Sequence, residues 1–131
     1  MTLAHRLYVG CIGEGLFRSI DGGQSFRRAC DGMFVECHVR ALAVHPRDPR
    51  VLFLGNESGL YRSDDGAGNW RRIESPANGL QVWSLLVSPH DPDTVVAGTC
   101  PSGLCRSGDV IKAYGAMMRF AAAGFRALCQ P

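Results

Sequence analysis

The feature that most constrains this chain is that it repeats itself. Gly15-Leu16-Phe17-Arg18-Ser19 returns as Gly59-Leu60-Tyr61-Arg62-Ser63 and again as Gly103-Leu104-Cys105-Arg106-Ser107, each copy 44 residues after the last. A second phrase lies between them. Val39-Arg40-Ala41-Leu42-Ala43-Val44-His45-Pro46 aligns with Val82-Trp83-Ser84-Leu85-Leu86-Val87-Ser88-Pro89 at a shift of 43. Both phrases continue through Asp-Pro, at Asp48-Pro49 and Asp91-Pro92, into an apolar run that ends on Gly55 or Gly98. A period of this length marks an array of equal supersecondary units, each of which buries its apolar face only against its neighbours.

Within a unit, short runs rich in β-branched and aromatic residues are split by Gly, Pro, Asn and Asp, and no sustained helical period occurs before residue 109. For the complete unit these runs predict strands near 39–45, 51–55, 59–63 and 70–74. Four short antiparallel strands in a unit of this size is the arithmetic of a propeller blade. The expected fold is therefore all-β, a partial propeller of about two and a half four-stranded blades. Within residues 1–109 a partial blade occupies 7–30 and supplies second, third and fourth strands, a full blade occupies 39–75, and a partial blade occupies 82–108. The pattern breaks at Asp109, and residues 110–131 form an atypical tail. Ala116 to Leu128 allows a short amphipathic helix, with Met117, Phe120, Ala121 and Leu128 on one side. A shifted reading frame is the alternative reading of that tail.

The turn between the third and fourth strands carries the sharpest motif. Ser19-Ile20-Asp21-Gly22-Gly23-Gln24-Ser25-Phe26 and Ser63-Asp64-Asp65-Gly66-Ala67-Gly68-Asn69-Trp70 share the pattern Ser-x-Asp-Gly-x-x-x-aromatic. A carboxylate at Asp21 or Asp65 is placed to accept hydrogen bonds from backbone N–H groups of its own turn. Gly22 and Gly66 permit a left-handed backbone, and the ring of Phe26 or Trp70 is placed to cover the hairpin. Both octapeptides resemble the Asp-box, or bacterial neuraminidase repeat, of sialidases, some endoglucanases, sortilin-type receptors and a photosystem assembly factor. The resemblance covers roughly residues 7–109 and implies a propeller, with Ser19, Asp21, Gly22, Phe26, Ser63, Asp65, Gly66 and Trp70 in structural positions away from the ligand-binding face. It implies little about activity, because the same box occurs in enzymes, receptors and scaffolds.

In such a blade the second-to-third loops and the blade-to-blade connections open on one face. Here these are Cys11–Glu14, Asn56–Ser58, Thr99–Ser102, Cys30–His38 and Ser75–Gln81. Arg40 and Trp83 take equivalent second positions on the inner strands: Arg40 suits a carboxylate or sugar acid, and Trp83 suits a sugar ring or a peptide side chain. Both are also suited to packing along a blade surface. Glu14, Glu36 and Glu57 lie in or beside the same loops, as does His38, so Arg40, Trp83, Glu36, His38 and Glu57 make up the candidate ligand-binding set. No catalytic residue is assigned, since glycoside hydrolysis needs two carboxyls at a defined separation and the arginine cluster of the resembling sialidases is not reproduced. Cys30, Cys37 and His38 lack the paired Cys-x-x-Cys knuckle of a zinc site, and Gly10-x-x-Gly13-x-Gly15 precedes a strand, so it is no phosphate loop. No metal or cofactor is expected.

A net charge of +2 with 14 basic and 12 acidic residues gives no basic stripe for nucleic acid. Arg18, Arg62 and Arg106 recur with the period, which predicts structural pairing with neighbouring acids. No run of eighteen apolar residues crosses a membrane, and the N-terminal residues lack the form of a signal peptide, which predicts a cytoplasmic location with reduced thiols. Cys30 and Cys37 flank one loop and are placed to pair if oxidised, Cys11 and Cys105 fall in strands and Cys100 in a loop. The expected partners are a protein, or a second copy of the chain meeting open blade flanks, with carbohydrate as a further class. The function implied is a non-catalytic propeller interaction or scaffold module, or a truncated remnant of one. A fragment of a sialidase-like or other propeller glycoside hydrolase is the alternative.

Overall fold

The computed structural model describes residues 5–75, 77–101 and 103–107. Ten strands run in chain order: β1 Leu7–Cys11, β2 Gly15–Ser19, β3 Arg27–Arg28, β4 Ala41–Val44, β5 Leu52–Asn56, β6 Gly59–Ser63, β7 Arg71–Ile73, β8 Gln81–Val87, β9 Val95–Cys100 and β10 Gly103–Ser107. They form three antiparallel meanders, β1-β2-β3, β4-β5-β6-β7 and β8-β9-β10. The tail, with its expected helix over 116–128, lies outside the described residues. Cys100 closes β9 and does not lie in a loop, because Gln81 extends β8 far enough to pair with it.

The middle sheet is the sandwiched one, and its composition follows from that. All five residues of β5 are buried, since a strand covered on both faces reads as a continuous apolar run. One face contributes Leu42, Leu52, Leu54 and Tyr61 to a cluster with Leu16, Ala29, Cys30 and Val39 of the first sheet and its connection. The other contributes Ala43, Phe53, Leu60 and Ile73 to a cluster with Val82, Leu85, Val87, Ala97 and Cys105 of the third.

Gly10 on β1 and Gly55 on β5 set how closely the sheets approach. A Cβ on Gly10 would sit 2.5 Å from Cγ1 of Val39, and one on Gly55 would run into Val82 in the same way. Val39, just ahead of β4, and Val82, near the start of β8, therefore seat where the preceding sheet has no side chain.

β8 buries one face, through Val82, Leu85 and Val87, while Trp83, Ser84 and Leu86 are exposed. The register shifts between Val82 and Ser84, leaving Trp83 as the extra residue of a bulge. Arg40 takes the same place beside β4: its N–H donates to the Gly55 carbonyl before regular pairing starts at Ala41.

Candidate functional site

The turns carrying the Ser-x-Asp-Gly motif show a division of labour that the sequence does not specify. In the second, Ser63 is buried and its Oγ accepts the buried N–H of Ala67 at 2.9 Å while donating to Asp65 Oδ1 at 2.9 Å. Asp65 itself is exposed and accepts the N–H of Asn69 at 2.8 Å and its side-chain amide at 3.0 Å. The first turn repeats this, with Ser19 accepting from Gly23 N–H at 2.8 Å and Asp21 from Ser25 N–H at 2.9 Å. These bonds, led by the side chain of Ser25 or Asn69, then its N–H, then the serine, hold both carboxyls down to about 2. Left-handed backbone occurs at Gly22 and Gly66, and also at Ala67, whose φ is 72°.

The two aromatics of the motif differ. Trp70 is buried and donates its Nε1–H to the Ala29 carbonyl at 2.9 Å, while its own N–H reaches the Asp31 carbonyl at 2.8 Å. It thus covers the joint between sheets rather than only its own hairpin. Phe26 stays exposed, because among the described residues no sheet precedes β1 to cover it. The recurring arginines differ from expectation too. Arg62 does pair with Asp64 at 2.8 Å, but Arg18 donates to the Gly66 carbonyl of the next sheet's turn at 2.7 Å, a partner with no charge to betray it in the sequence.

At the opposite strand ends, the short turns and the connections between sheets are bonded together. Val39 N–H donates to the Cys11 carbonyl at 3.1 Å, Gly15 N–H to Cys37 at 3.0 Å and Gly79 N–H to Ser58 at 2.9 Å. Buried Asn56 anchors one turn through Ser58 N–H at 2.9 Å. Glu57 accepts the His38 N–H at 2.8 Å. Arg40 and Trp83 stack: the guanidinium carbon lies 4.2 Å from the ring centroid. Trp83 keeps an open face, steadied by its Nε1–H on Gln81 Oε1 at 3.1 Å. Arg40 Nε and His38 Nδ1 are both buried atoms with no hydrogen-bond partner. A groove of about 130 Å³ runs beside Arg40, lined by Gly10, Val39, Ala41 and Leu42.

Of the candidate set, Arg40 meets Trp83 and His38 meets Glu57, whereas Glu36 is exposed on its loop without a bond to the others. Glu14 forms an ion pair with Arg28 at 2.6 Å. Burial pushes the Cys37 thiol up, so it is no ready nucleophile. Cys30 is a free thiol that accepts the Leu16 N–H at 3.1 Å; it is tied to the β2 backbone rather than to Cys37. Among the described residues no three His, Cys, Asp or Glu side chains gather as a metal site, and no helix is long and apolar enough to cross a membrane.

The geometry of successive twisted meanders packed face to face has close counterparts among solved structures. An ancestral GH74 enzyme superposes with a TM-score of 0.71 at 20% identity, over 83% of this chain and 16% of that one. YCF48 bound to D1 peptide gives 0.64 at 15% identity, over 82% and 36%. The computationally designed Ika4 protein gives 0.58 at 14% identity, over 81% and 61%. The chain has the β-propeller fold. Its three sheets are propeller blades, and it spans about a sixth of the GH74 enzyme's length. No family profile matches the sequence, and no curated protein does.

Proposed function

We propose that the chain is a non-catalytic propeller module that binds an extended protein segment where the inner strands begin. The observation that carries this reading is the Arg40–Trp83 pair, a guanidinium with a buried unpartnered Nε beside an open indole face. Together they suit a segment that presents a carboxylate next to an apolar side chain. The Ser-x-Asp-Gly turns, read as Asp-boxes, are structural in this proposal, since their carboxylates are spent on their own turns. That YCF48 is solved with a bound peptide supports a protein ligand on such a scaffold.

A fragment of a propeller glycoside hydrolase is the second reading, favoured by the similarity to GH74 enzymes. Against it, Glu57 is committed to the His38 N–H and Glu14 to Arg28, which leaves no facing carboxyl pair at these loops among the described residues. Trp fluorescence titration with peptides ending in an apolar residue and a free carboxylate, run beside a chromogenic glycoside panel, separates the two. Micromolar peptide binding that Arg40→Ala abolishes supports the module. Glycoside turnover lost in Glu57→Gln, without peptide binding, replaces it with the hydrolase.

A further inference from the structure

The outer flanks of blades one and three match, position by position, the two halves of a joint the molecule already contains. Register pairs Leu7 with Ser19 on blade one and Leu52 with Ser63 on blade two, so Leu7, Val9 and Phe26 stand where Leu52, Leu54 and Trp70 stand one blade later. Leu52 and Leu54 are 0% exposed and Trp70 5%, because blade one covers them. Leu7, Val9 and Phe26 are 41%, 45% and 43% exposed. On blade three, Leu86, Val96 and Arg106 share one face, as do Ser84, Gly98 and Leu104. These are the places that Tyr8, Gly10, Leu16 and Arg18 fill on blade one's covered face, and there too a large apolar residue, Leu86, is 61% exposed.

We propose that blade three of one copy docks its outer flank on the outer flank of blade one of a second copy, head to tail. The second copy is the occupant because its exposed face carries the residue pattern that this face receives inside the chain. The polar contact repeats as well. Arg18 donates to the Gly66 carbonyl across the internal joint; Arg106 corresponds to Arg18 and Gly22 to Gly66, so Arg106 reaches the Gly22 carbonyl of the second copy. A head-to-tail contact either closes or runs on as a filament. Two copies bring together six described blades, inside the four to eight of propellers, and the proposed assembly is a dimer closed through two equal contacts.

Sedimentation of the 131-residue chain across the micromolar range tests this. The expected species has twice the chain mass. Leu86→Arg and Val9→Arg, each at an exposed position, give monomers with an unchanged β-type circular dichroism spectrum. Mixing the two variants restores one-to-one pairing, because each keeps the flank the other has lost, and Arg106→Ala weakens association by about a hundredfold, the loss of one charge-assisted hydrogen bond, worth about tenfold, at each of the two contacts. If Val9→Arg unfolds the chain, Phe26→Ser, which lies outside the strands, takes its place. A folded monomer at every concentration overturns the proposal. So does a dimer indifferent to Leu86→Arg, or a mixture that stays monomeric, since these results belong to a closed flank or to blade-one flanks meeting each other.

Discussion

Removing the hydroxyl of Ser63 should cost more than removing the carboxylate of Asp65, although the carboxylate is the residue that defines the motif. The Ala67 N–H is buried, and Ser63 Oγ is its acceptor at 2.9 Å. In Ser63→Ala that donor has no replacement, and a buried unsatisfied donor costs roughly 1–3 kcal/mol. The loss is compounded by the strained backbone of Ala67, held at a φ of 72° by the bond that is removed. Asp65 bonds the exposed Asn69, whose N–H turns to water when the carboxylate goes, so Asp65→Ala should cost about 0.5–1.5 kcal/mol. A Ser63→Ala loss of about 2 kcal/mol corresponds to a drop of roughly 8–16 °C in Tm for a domain of this order. Urea unfolding followed by the fluorescence of buried Trp70, with both single variants and the double, measures the two costs and their coupling. A Ser63→Ala variant within about 0.5 kcal/mol of the parent, or an Asp65→Ala variant clearly the less stable of the two, refutes the assignment of roles.

Three further outcomes are expected. Both motif carboxyls have folded pKa values lowered from 3.8 to about 2, so the stability they supply is present above about pH 4 and lost as pH falls through that interval towards 2; Asp21→Asn with Asp65→Asn should flatten the acid limb of a stability-versus-pH curve, and an unchanged limb contradicts this. Gly55→Ala should cost about 1–3 kcal/mol by driving a methyl into Val82, read by chemical denaturation, with an unperturbed midpoint as the contrary result. Trp70→Phe should cost about 0.5–1.5 kcal/mol through loss of the bond to the Ala29 carbonyl, visible as a lower Tm; a Tm equal to the parent's would mean that ring burial alone holds the joint.

Sequence periodicity carried far in this chain because the unit is short and its strands are punctuated. Strands expected at 51–55 and 59–63 occur as Leu52–Asn56 and Gly59–Ser63, since short apolar and aromatic runs bounded by Gly and Asn leave the backbone few alternatives. What lay beyond reach were contacts between units. Nothing local in Gly10 or Gly55 says that the next blade's valine lands there, although the recurrence of glycine at 10, 55 and 98 was the available signal. The carbonyl partner of Arg18 was invisible for a different reason: every residue has a carbonyl, so composition cannot single one out. At the mouth, the equivalence of Arg40 and Trp83 was legible from the repeat, whereas their stacking depends on the twist between blades.

The seating of Val39 over Gly10 and of Val82 over Gly55 has an evolutionary corollary. The middle unit carries both a plug, Val39, and a socket, Gly55, so a unit of this kind accepts a copy of itself as neighbour. Duplication of one stretch of about 44 residues therefore lengthens the array without a new joint having to be invented. Nothing in that joint counts. How many units make a ring is left to the angle each contributes.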